Sequence, residues 1–178
     1  MSRAMFRLIV VAALLASLVA AGASGTIHAQ DIMEVERHVW TDNVDPSTRE
    51  AARAHTSPIR LRQVYLWTQL KGSKELLDQM RANADGQVRI RHLWQRYDSD
   101  QLVVDFDVLL GVGRKEELRK LAYEVDALGF FRWRVWSHKE HLTRGHWRVD
   151  VVYDESYDPV MCVSAGAKKP CSFAIEVK

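Results

Sequence analysis

Side chains that can bind a metal ion crowd one short polar segment: His138, Glu140, His141 and His146. A His-x-x-His spacing with a nearby carboxylate and a third histidine suits zinc, and Glu140 could act as the base of a zinc hydrolase. However, the segment contains Gly145 and reads as a loop, without the helix that carries a His-Glu-x-x-His pair. A metal-dependent hydrolase built on this loop is therefore kept as the alternative to the non-enzymatic function described below.

The strands on either side of this loop are rich in tryptophan and arginine. Successive residues of a strand point to opposite sides of its sheet. If Trp133 and Trp147 in Phe130–Tyr153 point into the core, their neighbours in each strand therefore lie on the outside of the sheet. One interpretation is a solvated face whose charges form cross-strand ion pairs; the other is a binding face. In the second, Trp136 stacks on a sugar or another ring, and arginines clamp an anionic group. The predicted contact residues are Arg132, Arg134, Trp136, Lys139, Arg144 and Arg148.

Strand patterns dominate the rest of the chain. The predicted strands cover residues 64–68, 88–95, 102–110, 130–137, 146–153 and 171–177. Two helices are predicted, at 73–84 behind a Ser73 cap and at 114–128 before a Gly129 cap. Short strands separated by turn signals favour an antiparallel, immunoglobulin-like β-sandwich decorated with one or two short helices.

The residues 88–110 form the clearest hairpin. Its alternation predicts a buried apolar face and an outer face on which Arg89 and Arg91 pair with Asp105 and Asp107. The same parity places His92 on the apolar face beside Trp94. We interpret His92 as a neutral core histidine bonded to a backbone carbonyl or to Ser137, rather than as a catalyst. The predicted buried structural residues are His92, Trp94, Trp133 and Trp147.

The first 29 residues have the pattern of a secretory signal. Arg3 and Arg7 precede an apolar run, and small residues offer cleavage after Ala23 or Ala29. The apolar run is shorter than a good membrane span, which favours a cleaved signal, and no transmembrane segment is predicted after cleavage. The competing interpretation of these residues is an uncleaved membrane anchor. We therefore predict a periplasmic protein with a polar N-terminal segment at 30–58 and a β-rich domain at 59–178. A short helix is predicted at 49–54.

Two cysteines, Cys162 and Cys171, lie nine residues apart. In an oxidising compartment this spacing favours a disulfide around a looped return. The competing interpretation is a metal site, but two ligands alone do not make one.

The mature chain is predicted to be electrically neutral. Removing Arg3 and Arg7 from the 25 basic residues leaves 23 basic residues against 23 acidic ones. A neutral mature chain disfavours nucleic acid as a partner, and no residue pattern indicates a cofactor.

Three motifs carry a resemblance: His92-Leu93-Trp94, Trp133-Arg134-Val135-Trp136-Ser137-His138-Lys139 and Gly145-His146-Trp147-Arg148-Val149. In this order they resemble the bacterial family called domain of unknown function 2914, over about residues 61–177. The resemblance implies a compact, mostly β, envelope-associated domain and no chemistry. The helix at 114–128 departs from the family pattern.

Together, these observations predict an exported, non-enzymatic binding module. Its partner would be a cell-envelope glycan or an envelope protein, bound through the tryptophan and arginine face. A third hypothesis is a structural accessory that docks on a membrane complex through its apolar edge.

Overall fold

A computed structural model describes residues 32–60, 62–164 and 166–178. The strands are β1 (Met33–Thr41), β2 (Val44–Asp45), β3 (Glu50–Ala51), β4 (Ala54–His55), β5 (Gln63–Gly72), β6 (Val88–Asp98), β7 (Gln101–Val112), β8 (Phe131–Glu140), β9 (Gly145–Tyr153), β10 (Met161–Ser164), β11 (Ala167–Pro170) and β12 (Ser172–Val177). The helices are α1 (Lys74–Ala82) and α2 (Leu118–Leu128), and a 3-10 turn at Lys115–Glu117 precedes α2.

Two sheets make up the body of the protein. The first has the strand order β11-β10-β1-β5-β8, with β4 paired to the end of β1, and the second has the order β12-β9-β6-β7. A separate two-stranded ribbon joins β2 to β3. The predicted mostly β sandwich with two short helices is confirmed. One pair, β1 with β10, is parallel, whereas we predicted antiparallel pairing throughout.

The buried faces of the two sheets follow the predicted alternation. Along β8, Phe131, Trp133 and Val135 are buried, and along β9 Trp147, Val149 and Val151 are buried. Trp40 and Trp94 meet edge to face across the interior, with ring centroids 5.8 Å apart. Such apolar burial is the main favourable contribution to folding.

Several predicted elements are confirmed with small changes at their ends. Ser73 caps α1 by accepting a hydrogen bond from the backbone N–H of Leu76. Gly129 ends α2 with φ of 80°, a left-handed conformation that glycine adopts without steric cost. The hairpin of β6 and β7 turns at Ser99, which has φ of 57°. A bulge at Trp94–Gln95 interrupts its register.

The N-terminal part of the chain departs most from the predictions. We expected residues 30–58 to form a polar segment ahead of the domain, but β1 lies inside the first sheet, between β10 and β5, so the sandwich begins before residue 59. The helix predicted at 49–54 is also wrong. The Asp45 carboxylate accepts the backbone N–H of Ser47 in a turn, and the chain returns as β3. The predicted signal peptide lies outside the described residues.

The C-terminal cysteines are paired in the structure. The hairpin of β10 and β11 brings the Cα atoms of Cys162 and Cys171 to 5.0 Å in a disulfide, and Gly166 turns the hairpin with φ of 80°. Among the described residues, no helix has both the length and the apolar character needed to cross a membrane.

Candidate functional site

The predicted contact residues are divided between opposite sides of the sandwich. Arg132, Arg134 and Trp136 alternate along the outer face of β8, in the first sheet, whereas Arg148 lies on the outer face of β9, in the second sheet. The prediction of one shared tryptophan and arginine face is therefore wrong. The reason is that β8 and β9 follow each other in sequence but pair with different partners.

Each of these three arginines is ion-paired within the protein. The Arg132 guanidinium donates to both carboxylate oxygens of Glu36, at 2.6 and 2.8 Å. These hydrogen bonds lower the pKa of Glu36 to about 2. Arg134 pairs with Glu50 at 2.7 Å, and Arg148 pairs with Asp150 at 2.8 Å. An anionic ligand would have to compete with these carboxylates.

Lys139 and Arg144 occupy different settings. The Lys139 ammonium donates to Asp105 at 2.6 Å and lies 4.5 Å from the centre of the Phe106 ring. It therefore links the edge strand of the first sheet to the edge strand of the second. Asp105 also contacts Arg96 at 3.4 Å. The predicted pairing of Asp105 with Arg89 or Arg91 on the outer face is therefore wrong. Arg144 is exposed in the loop between β8 and β9.

The other half of the predicted hairpin pairing is confirmed. Arg91 pairs with Asp107 across the ladder, and also with Asp154 at 2.5 Å. Arg89 instead pairs with Asp85, which lies before the strand.

The ribbon of β2 and β3 covers the outer face that Trp136 occupies. We call residues 42–53 the flap. Beneath it, Trp67 is only 1% exposed, and its indole N–H donates to the carbonyl oxygen of Arg49 at 2.7 Å. Val39, Val44 and Trp67 form a second small core with the half-buried Trp136 packed against it. The face predicted to bind a ligand is therefore covered largely by the protein's own chain.

The first two sequence motifs meet in the interior. The indole N–H of Trp94 donates to the Ser137 hydroxyl at 2.9 Å, and the same oxygen lies 2.8 Å from Nδ1 of His92. All three side chains are buried. Burial lowers the pKa of His92 from 6.5 to about 3, so the ring is neutral at physiological pH. This network joins the second sheet to the first.

The third motif fixes the entry into β9. Gly145 has φ of 132°, a conformation that L-residues other than glycine rarely adopt. The indole N–H of the buried Trp147 then donates to the carbonyl oxygen of Thr143 at 3.0 Å. The three motifs thus hold the interior and a turn in place, and their tryptophans, apart from Trp136, serve packing.

The histidine loop does not gather its side chains. His138 stacks on Tyr65 with ring centroids 5.0 Å apart, and its Nε2 lies 3.9 Å from the carboxylate of Glu140. His141 and His146 are exposed. In the part of the chain that the structure describes, no three His, Cys, Asp or Glu side chains are grouped so that they could hold a metal ion.

An open cavity with a volume of about 600 Å³ lies on the outer face of the second sheet. We call it the trough. Its floor consists of outward residues of β9 and β12, and the tip of the β6–β7 hairpin forms one wall. The residues that line it include Ser57, Tyr97, Ser99, Asp100, His146, Arg148, Ala174 and Glu176.

The second wall of the trough comes from a segment far away in sequence. Ile59 bridges Val177 in parallel beside β12, and the Ser57 hydroxyl accepts the backbone N–H of Glu176 at 3.0 Å. These contacts bring residues 57–59 alongside the second sheet. No sequence pattern marked Ser57 or Tyr97 as site residues. The alternation of β9 did place Arg148 outward.

The polar groups of the trough are mixed in charge and partly free. Arg148 donates to Gln95 at 3.1 Å and to Asp150. Tyr97 is 50% exposed. Within the described chain, no side-chain hydrogen bond or ion pair occupies Tyr97, Asp100 or His146. The trough therefore offers an aromatic ring together with the unpaired polar groups of Tyr97, Asp100 and His146.

A family model described as protein of unknown function (DUF2914) matches residues 87–156. This segment contains all three motifs and α2, so the resemblance is confirmed over a range narrower than the 61–177 we expected. No curated protein matches the chain in sequence.

Proposed function

We propose that this protein is an exported, non-enzymatic binding module for a cell-envelope glycan, which it holds in the trough. The observation that carries the proposal is the open trough with an exposed Tyr97 ring beside the polar groups of His146, Arg148 and Glu176. Binding sites generally combine an apolar or aromatic surface with a few placed polar groups. A sugar ring presents the matching surfaces, apolar C–H faces and a rim of hydroxyls.

The charges of the trough support a polar polymer rather than a strongly ionic ligand. Arg148 and Asp100 have opposite charges, Glu176 adds a second carboxylate, and His146 supplies a ring that donates or accepts. The trough is also open to solvent rather than enclosed, which suits part of a polymer chain better than a small buried molecule.

The periplasmic location is part of the same proposal. The basic, apolar and small-residue pattern of residues 1–29 supports export, and the disulfide of Cys162 and Cys171 suits an oxidising compartment. Fractionation of cells that express the full chain, beside a chain lacking residues 2–29, tests it. The full chain should appear in the periplasmic fraction and the truncated one in the cytoplasm.

The binding proposal is tested by sedimenting the purified mature protein with isolated cell-wall sacculi. The wild-type protein should sediment, and Tyr97→Ala should reduce the bound fraction by roughly 10-fold, as expected when an aromatic contact is lost. Tyr123→Ala is the matched control, because Tyr123 is an exposed tyrosine on α2. The double variant Trp136→Ala/Arg134→Ala should still bind. A wild-type protein that stays in solution, or equal loss in both tyrosine variants, would contradict the proposal.

A further inference from the structure

A second cleft, of about 250 Å³, lies between the edge of β8 and the end of β7. We call it the edge cleft. Inward residues Trp133 and Val135 and outward residues Arg134 and Trp136 all line it. Since consecutive residues of a strand point to opposite faces, their shared presence places the cleft along the side of the strand.

The opposite wall is the end of β7 and the connection to α2. Leu110, Gly111, Gly113 and Arg114 line this wall. β8 pairs with β5 alone and β7 with β6 alone among the described strands. The two strands therefore face the cleft with their free edges, where alternate backbone N–H and C=O groups lack a strand partner.

Three guanidinium groups surround the edge cleft. Arg49 enters from the flap, where it lies over the Trp133 ring at 4.5 Å and pairs with Glu117 at 2.9 Å. Arg134 pairs with Glu50, but its Nε is buried and has no hydrogen-bond partner. Arg114 is exposed, and no side-chain partner holds it within the described chain. Three positive groups against two carboxylates leave the cleft with one uncompensated positive charge.

We propose that the edge cleft binds the carboxyl-terminal end of an extended peptide. The peptide backbone would pair with the free edge of β8, which is the usual mode of strand addition. Its terminal carboxylate would accept hydrogen bonds from the exposed Arg114, which has no carboxylate partner within the described chain, and its last side chain would pack on Trp136. This site is independent of the trough, because the two share no lining residue.

The test is calorimetric titration of the mature protein with a mixture of N-acetylated tetrapeptides of randomised apolar residues, prepared as free acids and as amides. The free acids should bind at least roughly 10-fold more tightly than the amides, because a charge-assisted hydrogen bond is lost in the amide. Arg114→Gln should weaken binding of the free acids to a similar degree. Arg144→Gln is the control, since Arg144 is an exposed arginine in a distant loop.

Backbone amide shifts in nuclear magnetic resonance spectra locate the peptide. Free-acid peptides should shift the amides of residues 133–136 and leave those of the trough unchanged, and Tyr97→Ala should bind peptides normally. Several results would overturn the proposal: no binding of either mixture, equal binding of acids and amides, or full binding to Arg114→Gln. Inorganic phosphate that binds the cleft as tightly as the peptides would also overturn it, because the site would then select an oxyanion alone.

Discussion

The outer faces of the two sheets carry similar residues but differ in what lies over them. On the first sheet, Trp67 and Trp136 form an aromatic surface that the flap covers. On the second sheet, Tyr97 is half-exposed beside Arg148 and borders an open trough. An outward aromatic residue is therefore part of a small core on one face and a candidate ligand contact on the other.

This difference shows that strand parity alone does not identify a binding face. Parity states which side of a sheet a residue occupies, whereas distant segments decide whether that side reaches solvent. Residues 42–53 fold back over the first sheet, and residues 57–59 run beside the second sheet and deepen its trough. Only a few residues separate these two segments in the chain.

The largest expected effect is on the covered face. Trp67→Ala should destabilise the protein by about 3–5 kcal/mol, because it removes a buried aromatic side chain and leaves a cavity. Urea unfolding followed by circular dichroism measures this change. Trp136→Ala, on the same face but only half-buried, should cost clearly less. Equal and small losses for both variants would mean that the flap does not seal this face.

The second prediction concerns His92, which lies between the two sheets. Its pKa is about 3 when folded, against 6.5 as the ordinary value, so between these values the unfolded chain binds a proton that the folded chain does not. Stability should therefore be fully present above about pH 6.5 and fall as the pH decreases towards 3. The slope is at most about 1.4 kcal/mol per pH unit.

Urea unfolding between pH 5 and 6.5 measures this slope, which His92→Gln should reduce. The pKa of His38 is also lowered by burial. His38→Gln therefore serves as the control that measures how much of the pH dependence of stability comes from His38. Glu36 has a folded pKa of about 2, against an ordinary value of 4.5. Its stabilising contribution to the protein is therefore lost only as the pH falls below about 4.5, outside this pH range. An unchanged slope in His92→Gln would contradict the assignment.

A smaller effect is expected for the ion pair that links the flap to β8. Glu50→Gln should destabilise the protein by about 0.2–1 kcal/mol, because Arg134 and Glu50 are both more than a third exposed. A double-mutant cycle with Arg134→Gln isolates the pair. A coupling energy well above this range would show that the flap is held by its charges rather than by Trp67 and Val44.

The smallest effect is expected on the open face. Tyr97→Ala should change the free energy of unfolding by less than about 0.5 kcal/mol, because a half-exposed ring contributes little packing. Urea unfolding of this variant beside Trp67→Ala completes the comparison. A loss of several kcal/mol would instead assign Tyr97 a structural role and remove it from the candidate site.

Much of the fold could be predicted because local chemistry is unambiguous there. Ser73 and Gly129 mark helix ends, and the alternation in β8 and β9 assigns inward and outward residues. Ser137 was one of the two partners predicted for His92, the other being a backbone carbonyl, and the structure shows the contact with Ser137. In contrast, β1 was missed because its charged residues, including Glu36 and Arg37, obscure the apolar alternation. The outer charges of β1 are used in pairs such as Glu36 with Arg132.

The sequence by itself determined the class of fold, the start of α1, the end of α2 and the side of the sheet on which each residue of β8 and β9 lies. These features depend on neighbours a few residues apart, whose steric and hydrogen-bonding preferences act within one element. The tertiary structure alone decided that β8 and β9 belong to opposite sheets, that the flap covers Trp136 and that Ser57 borders the trough. Those outcomes depend on contacts between segments far apart in the chain, because strand order and the packing of loops are set by the burial of the whole molecule.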